Sequence, residues 1–495
     1  MAERRRDEPA KSAVSDAPPA VETPPAARAA PRPGRVAVAI YAVCTIVYAI
    51  FAAERLRTHS PDNHFSYLAD SFLHRTLAVR CPPAEIARNA CPPGGGGNDW
   101  ARYCRTDVNR ATGETRQNCR WFVAFPSFPA VVYMPFVAMF GRDFPNRALD
   151  VALGGLAPAL LYLLLERLSR AGRSKRSWRE NVGFSALFAF GTVYFFSAVQ
   201  GSVWFTAHVV GASLMVGYVA CALDAERPLL AGVLLGMALH TRASMVYASV
   251  LFGLEALRVA RMPDAVKPAD DASVAARALA FVQGVDWRRL IRLGVVFSLP
   301  IVAALALKAL QNKLSFDDPT EVGYRYLQVR WRDRIDRWGL FNYHYLARNL
   351  GIAFTSLPWF SRTFPYIVIS LHGIALWVTT PHYLELVRLR RRPDDRYTPS
   401  LAIAASLLAM TVLLYQNSGW VQFGFRFSND FAVLLIVLLA INGRRIGKLW
   451  IAALAVAIAV NAFGAWSFDR QIRIRGRTVS FYDNDFSQQR YFQPD

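Results

Sequence analysis

The hydropathy of this chain is organised as long apolar runs separated by short charged segments, from Val36 to the C-terminal third. Roughly eleven runs approach the ~20 apolar residues that a helix needs to cross the hydrocarbon core. Ten-residue segments of alternating polarity, the mark of a transmembrane β-barrel, are absent. The pattern predicts an all-α polytopic membrane protein. Residues 1–35 have the opposite character: rich in Pro, Ala and charge, they cannot bury enough apolar surface to fold and are expected to form a disordered cytoplasmic tail. The run that follows, Val36–Ala53, begins too late and is too long for a cleaved leader, so it reads as an uncleaved signal anchor.

Loop charge orients the spans. With the N-terminus inside, residues 54–121 form a first outer loop with ten basic and seven acidic residues. The segment Arg167–Glu180 has six basic residues and one acid, which assigns it to the cytoplasm. One of the two intervening runs must then fail to cross. Phe122–Phe140 contains Pro126, Pro129 and Pro135, and proline interrupts helical hydrogen bonding, so this run is expected to be a broken or surface-lying segment on the outer side. Ala148–Leu165 becomes the second span. The thirty-residue run Leu229–Leu257 is interrupted by His240-Thr241-Arg242 and is read as two short helices. Residues 312–364 form a second large outer segment. The basic stretches Arg388–Arg396 and Arg444–Lys448 fall inside, and the tail 467–495 falls outside. A membrane domain spanning 36–466, in the plasma membrane with its active face outward, accommodates all of these signals.

Composition changes this picture little. The chain has 495 residues, 53% hydrophobic, with a net charge of +21. The positive charge sits in short loops rather than in a stripe with interleaved aromatics, so no nucleic-acid partner is expected. Arginine outnumbers lysine 51 to 6, a bias of a GC-rich bacterial genome rather than a functional signal. No phosphate-cradling GxxxxGK[ST] occurs, which argues against ATP drive, and neither HExxH nor CxxC is present. No cofactor is indicated, nor a divalent metal.

Four of the six cysteines, Cys81, Cys91, Cys104 and Cys119, lie in the first outer loop, near Pro-Pro pairs and a Gly94–Gly97 run. Such a set in an oxidising compartment reads as a disulfide framework, with three pairings open. A zinc site is the rival, but the spacings of ten, thirteen and fifteen lack the short pair that structural zinc favours. Cys44 and Cys221 lie in apolar runs and read as small core residues.

Chemistry is concentrated at the outer ends of the spans. Asp62 stands eight residues after Glu54, where the first apolar run ends, and precedes Asn63 and His64. A carboxylate at a membrane mouth can serve as a general base; the competing reading is a loop acid or a cap for Phe65–Leu77. Asp70 follows, eight residues on, as a structural or salt-bridging acid. Arg242 lies within an apolar region and suits a phosphate, although snorkelling to headgroups is an equal alternative. Arg426 and Asp430 have the i,i+4 spacing of a helical ion pair, inside a segment dense in Gln, Asn and aromatics that also suits sugar or phosphate. His208 is a lone histidine near the outer end of a span.

Four strings carry a resemblance: Asp62-Asn63-His64-Phe65-Ser66-Tyr67-Leu68-Ala69, Phe125-Pro126-Ser127-Phe128-Pro129, Leu239-His240-Thr241-Arg242 and Val421-Gln422-Phe423-Gly424-Phe425-Arg426. With the layout of spans, they resemble the GT-C superfamily of polyprenyl-phosphate-dependent glycosyltransferases, the group of protein O-mannosyltransferases and aminoarabinose-lipid A transferases. The resemblance implies surface helices in the first outer loop and a lipid-phosphate sugar donor entering from the bilayer. It implies inverting transfer to a hydroxyl on a glycan, lipid or protein acceptor. Asp62 would act as base, with His64, Asp70, His208, Arg242 and Arg426 binding substrate. Asp62 and Arg242 are then expected to point into one outward cavity. The second outer turn, Gln200–His208, lacks the acid that many members carry there. A flippase or transporter of a lipid-linked or polar solute is the alternative.

Overall fold

A computed structural model describes residues 31–483, apart from 82–84, 86–90, 93–98, 109–112, 264–272, 330, 390–395, 471 and 475–476. The expected disordered tail lies outside the described residues except for its last few positions, as do the Gly94–Gly97 run and the end of the C-terminal tail. Among the described residues five helical segments are long and apolar enough to cross a membrane: Pro33–Arg57, Asn146–Arg170, Val203–Ala225, Trp287–Phe316 and Lys448–Ser467. Eleven such segments are not found. The other apolar runs fold into shorter pieces because turns, strands and prolines divide them.

The helices used below are α1 (Pro33–Ala52), α2 (His64–Leu73), α3 (Phe128–Phe140), α4 (Asn146–Gly154), α5 (Leu156–Arg170), α6 (Trp178–Phe190), α7 (Val203–Ala222), α8 (Pro228–Leu239), α9 (Ser249–Val259), α10 (Trp287–Phe316), α11 (Thr398–Leu413), α12 (Asn429–Ile441) and α13 (Lys448–Ser467). Local chemistry starts several of them. Pro33 and Pro228 open α1 and α8, where the missing N–H is no loss. Ser177 and Glu180 form a reciprocal capping box before α6. Helix α3 carries Pro135 and stops at Gly141, whose φ of +79° suits glycine.

Burial sorts the apolar helices into lipid-facing and central ones. In its most apolar window α10 is 11% buried, whereas α7 is 83% buried. Helix α10 therefore presents Ile291, Val295, Leu299 and Val302 outward, as α1 does Val38, Val43 and Ile46. Helix α7 runs through the main core, where Met215, Val216 and Tyr218 pack with Leu251, Phe252, Leu401, Leu408 and Leu434.

The all-α expectation needs correction in the outer segments. Strands β1 (Trp100–Val108) and β2 (Thr115–Val123) form an antiparallel hairpin in the loop expected outside, residues 54–121, with Cys104 opposite Cys119. Those two cysteines are bonded, as are Cys81 and Cys91. Helix α2 belongs to the same loop but is largely buried, with Phe65 edge-on to Phe125 and Tyr133 and Tyr67 edge-on to Trp100. The alternation of loops also requires a crossing between 364 and 388. That stretch instead holds β4 (Ile367–Ser370), a four-residue helix at Leu376–Thr379 and a tight turn at Pro381–Arg388. Strand β4 pairs antiparallel with β3 (Trp359–Phe360) and parallel with Tyr482–Asp483 of the C-terminal tail.

Polar networks close the bundle at two opposite ends. At one, Arg55 after α1 donates to Gln200 Oε1 (3.2 Å) and to the Phe468 and Asp469 carbonyls after α13, while Arg147 of α4 donates to the Gln200 carbonyl at 3.1 Å. At the other, Asp224 after α7 meets Arg258 of α9 and the Tyr397 hydroxyl, and Ser400 of α11 donates to Glu255 at 2.7 Å. Cys44 and Cys221 are free and buried. Thiol titration of the unfolded, unreduced protein is expected to find two reactive thiols, rising to six after reduction. A count of six before reduction would rule out the paired outer loop.

Candidate functional site

The interruptions of the bundle converge on one place. The break between α8 and α9, the loop after α11, the N-terminal ends of α7 and α12, the start of β1 and the turn after β2 all border a cavity of about 240 Å³. Irregular backbone at this depth is tolerated where it is packed in protein or lines a cavity. Aromatic rings make much of the wall, among them Trp204, Tyr324, Trp331, Phe341, Tyr415 and Phe427. Four ionisable groups interrupt it: Asp99, Arg242, Lys308 and Arg426.

Two of the strings noted in the sequence build the wall together. The Phe128 N–H donates to the His240 carbonyl at 2.7 Å, and Ser127 Oγ lies 3.2 Å from His240 Nδ1. His240 Nε2 sits 2.8 Å from the Ala304 carbonyl of α10. These bonds hold the break after α8, where Arg242 is extended at φ −148°, against both neighbouring elements.

Arg242 is neutralised from behind. Its Nε donates to Asp430 Oδ1, Ser244 Oγ donates to Asp430 Oδ2 at 2.8 Å, and His208 Nδ1 lies 3.2 Å from Oδ1. Asp430 and His208 are fully buried. Asp430 occupies the first turn of α12, where the positive end of the helix dipole favours a carboxylate. The expected Arg426–Asp430 pair is not the one formed. Arg426 lies on a tight turn before the helix, so helical i,i+4 geometry does not apply, and Asp430 is taken by Arg242 across the bundle.

Arg426 has no such partner. It is 3% exposed, its Nη1 donates to the Val421 carbonyl at 2.9 Å, and its Nε is buried without a partner. Its guanidinium stands 5.2 Å from the centre of the Phe205 ring and 5.4 Å from that of Phe427, whose ring also lies 5.2 Å from Arg242. Two guanidiniums thus share one aromatic ring. Half-buried Lys308 makes no hydrogen bond or ion pair among the described residues. The cavity therefore holds more positive charge than its wall offsets, which is the electrostatic signature of an anion site.

Asp99 is the carboxylate on the cavity wall among the described residues. It stands at φ +71°, a left-handed conformation that aspartate tolerates, and accepts from Trp204 Nε1 at 3.0 Å. Burial raises its pKa above the usual carboxylate range, opposed by the Trp204 hydrogen bond and the Arg426 charge.

The other predicted residues lie elsewhere. Asp62 does not line the cavity. Its carbonyl accepts from the N–H of Val203, a lining residue, and Asp62 stands in the field of Arg147. His64 stacks on Trp100 with ring centres 4.0 Å apart. Asp70 contacts His74 at 3.4 Å and Arg80 at 3.5 Å, away from the cavity. His208 backs the wall through Asp430. Sequence reasoning missed Asp99 and Lys308. Lys308 had a usable signal, an ionisable residue inside an apolar run; Asp99 had none, being one of seven acids in its loop.

Removing the carboxylate that pairs with Arg242 should cost far more stability than removing the Arg426 charge. Asp430→Asn leaves Arg242 uncompensated and is expected to destabilise the protein by about 3–5 kcal/mol. Arg426→Gln, which breaks no ion pair, should change stability by less than about 1.5 kcal/mol. Thermal unfolding in detergent reads both; equal losses would refute this charge assignment.

No family model matches the chain, and no curated relative does. Two solved structures are similar to it. One is ArnT from Cupriavidus metallidurans bound to undecaprenyl phosphate, at 12% identity and a TM-score of 0.43, covering 86% of this chain and 63% of that one. The other is the Archaeoglobus fulgidus oligosaccharyltransferase tethered to an acceptor peptide containing the NVT sequon, at 11% identity and a TM-score of 0.44, covering 87% and 55%. This chain thus spans less than two thirds of the length of either.

Proposed function

We propose that the protein is an integral-membrane glycosyltransferase that transfers a sugar from a polyprenyl-phosphate donor to an acceptor hydroxyl on the outer face of the membrane. The observation that carries this reading is the cavity lined by Arg242, Arg426 and Lys308 together with Asp99, the one lining carboxylate among the described residues. Roughly 300–1,000 Å³ is usual for pockets that take drug-sized ligands. The smaller cavity here suits one sugar and its phosphate, with the lipid outside.

In the proposed reaction the donor phosphate lies against Arg426, a buried guanidinium with no salt bridge among the described residues, with Arg242 and Lys308 alongside. Guanidinium offers a planar fork of donors to phosphate oxygens. The acceptor hydroxyl attacks the anomeric carbon from the face opposite the phosphate. A new carbon–oxygen bond forms as the anomeric carbon–phosphate oxygen bond breaks. The bonding pair leaves on the lipid phosphate, whose growing charge the cations stabilise, and the hydroxyl proton passes to a carboxylate. The configuration inverts. Asp99 is the first choice for that carboxylate because it shares the cavity with the cations. Asp62 is the second, through its contact with the lining residue Val203.

Substitution separates these roles. Asp99→Asn is expected to lower kcat by about 10²–10⁴-fold, the usual contribution of general-base catalysis, and Asp62→Asn by much less. The reverse order would move the base to Asp62. Arg426→Gln should abolish transfer while leaving a folded protein; unchanged transfer would exclude the anion site.

The pH profile gives a further check. Only ionised Asp99 can accept a proton, and its pKa is raised. kcat/KM should therefore rise with pH through a midpoint above the ordinary aspartate range of about 3.9. The matching effect on stability has the opposite sign: the folded state holds the proton more tightly than the unfolded state, so this group's contribution falls as pH rises from the unfolded to the folded pKa.

A further inference from the structure

Outside the cavity, the second outer segment carries another pair of cations with no counter-charge. Arg348 is 7% exposed, and its guanidinium donates only to neutral groups: the Gln416 carbonyl at 2.6 Å and Asn349 Oδ1 at 3.4 Å. Arg334, half-buried on the short helix Arg332–Trp338, makes no side-chain hydrogen bond or ion pair among the described residues. Tyr345 links them, its ring 5.6 Å from the Arg348 guanidinium and its hydroxyl donating to the Arg334 carbonyl at 3.1 Å, and no carboxylate among the described residues offsets either guanidinium. Both also act on His372, which burial and then these charges lower to about 4, so it is neutral at pH 7 and adds no positive charge.

This pair borders the cavity without belonging to it. Gln416, which accepts from Arg348, lines the cavity, and so does Trp331, three residues before Arg334. The Trp331 ring meets Trp420 edge-on at 6.0 Å, and the Trp420 ring is inclined 30° to that of His372 at 6.4 Å. Cations and indole rings along one border of a cavity combine charge recognition with flat apolar faces.

We propose that Arg334 and Arg348 form a second anion subsite that holds an acidic group, phosphate or carboxylate, on a saccharide acceptor, with Trp331 and Trp420 flanking its sugar ring. The role of acceptor rests on the glycosyltransferase reading; the anion subsite does not. Retaining two like charges at low exposure is costly unless an anion joins them, and guanidinium pairs match oxyanions in geometry. The first anion site takes the donor phosphate, and the second takes the charge of the incoming molecule. The acceptor would then be an acidic glycan rather than a neutral one.

The test uses the full chain in phosphatidylcholine nanodiscs, titrated calorimetrically with glucose 1-phosphate, glucuronate and glucose. Both acidic sugars should bind in two classes of site, and glucose in neither. Arg334→Gln breaks no bond in the fold and should weaken one class about tenfold or more while sparing the other; Arg348→Lys should weaken the same class, and Arg426→Gln the other. Loss of a class in Arg334→Gln with no effect of Arg426→Gln would uphold this subsite and sink the donor cavity. The proposal is overturned if glucose competes equally with the acidic sugars, or if Arg334→Gln and Arg348→Lys both leave every class intact.

Discussion

The charge state of the cavity depends on one buried carboxylate. Asp430 bonds Arg242 and Ser244 and contacts His208, and it sits where the α12 dipole is positive. By taking Arg242, it leaves Arg426 as a buried cation with only carbonyl and ring partners. Had Asp430 paired with Arg426 instead, Arg242 would be the cavity arginine left without a carboxylate. The cross-bundle pair thus decides which cation is available to a ligand. Its energetic weight comes from burial: removing one partner strands a charge in a region from which water is excluded.

The positions of the helix breaks follow the same logic. A bundle of unbroken spans satisfies its backbone internally and offers no donors or charges to a ligand at that depth. Here the break after α8, the loop after α11 and the turn before α12 all face the cavity. Their free backbone groups are taken by specific partners. Gln422 Oε1 accepts from the Arg426 N–H at 3.0 Å, while its Nε2 donates to the His372 and Ser418 carbonyls. Gly424 packs so closely on Val193 that an added Cβ would lie 2.5 Å from its Cγ1. The irregular backbone is held on every side.

The outer loop contributes a wall as well as a cover. The β1–β2 hairpin is tied by Cys104–Cys119, and Trp100 at its start stacks on His64 of α2. Asp99, one residue before the strand, is delivered to the cavity mouth by this packing. A small unit with little core of its own gains order from disulfides and from docking on the bundle. The Cys81–Cys91 bond fastens the chain after α2 in the same way.

What the sequence determined by itself was the environment and the residue types. Long apolar runs specify membrane-length helices whatever their neighbours, so Pro33–Arg57 and Asn146–Arg170 were legible, as was the division at His240-Thr241-Arg242. An ionised group in an apolar run is expensive anywhere, so Arg242 stood out, whereas Arg426 stood out by its spacing to Asp430 in a segment dense in Gln, Asn and aromatics. Tertiary structure decided the partners. Arg242 and Asp430 are 188 residues apart, and no local period couples them; a spacing of four suggested the wrong pair. Asp99 became a cavity acid only because a hairpin folds onto α2, a consequence of ring packing and cysteine pairing that hydropathy does not encode. Between 364 and 388 the chain forms a strand that pairs with the distant tail at Tyr482–Asp483, a contact no local pattern signals. Burial of single residue types is written along the chain, whereas the compensation of charge and backbone polarity is a property of contacts between distant segments.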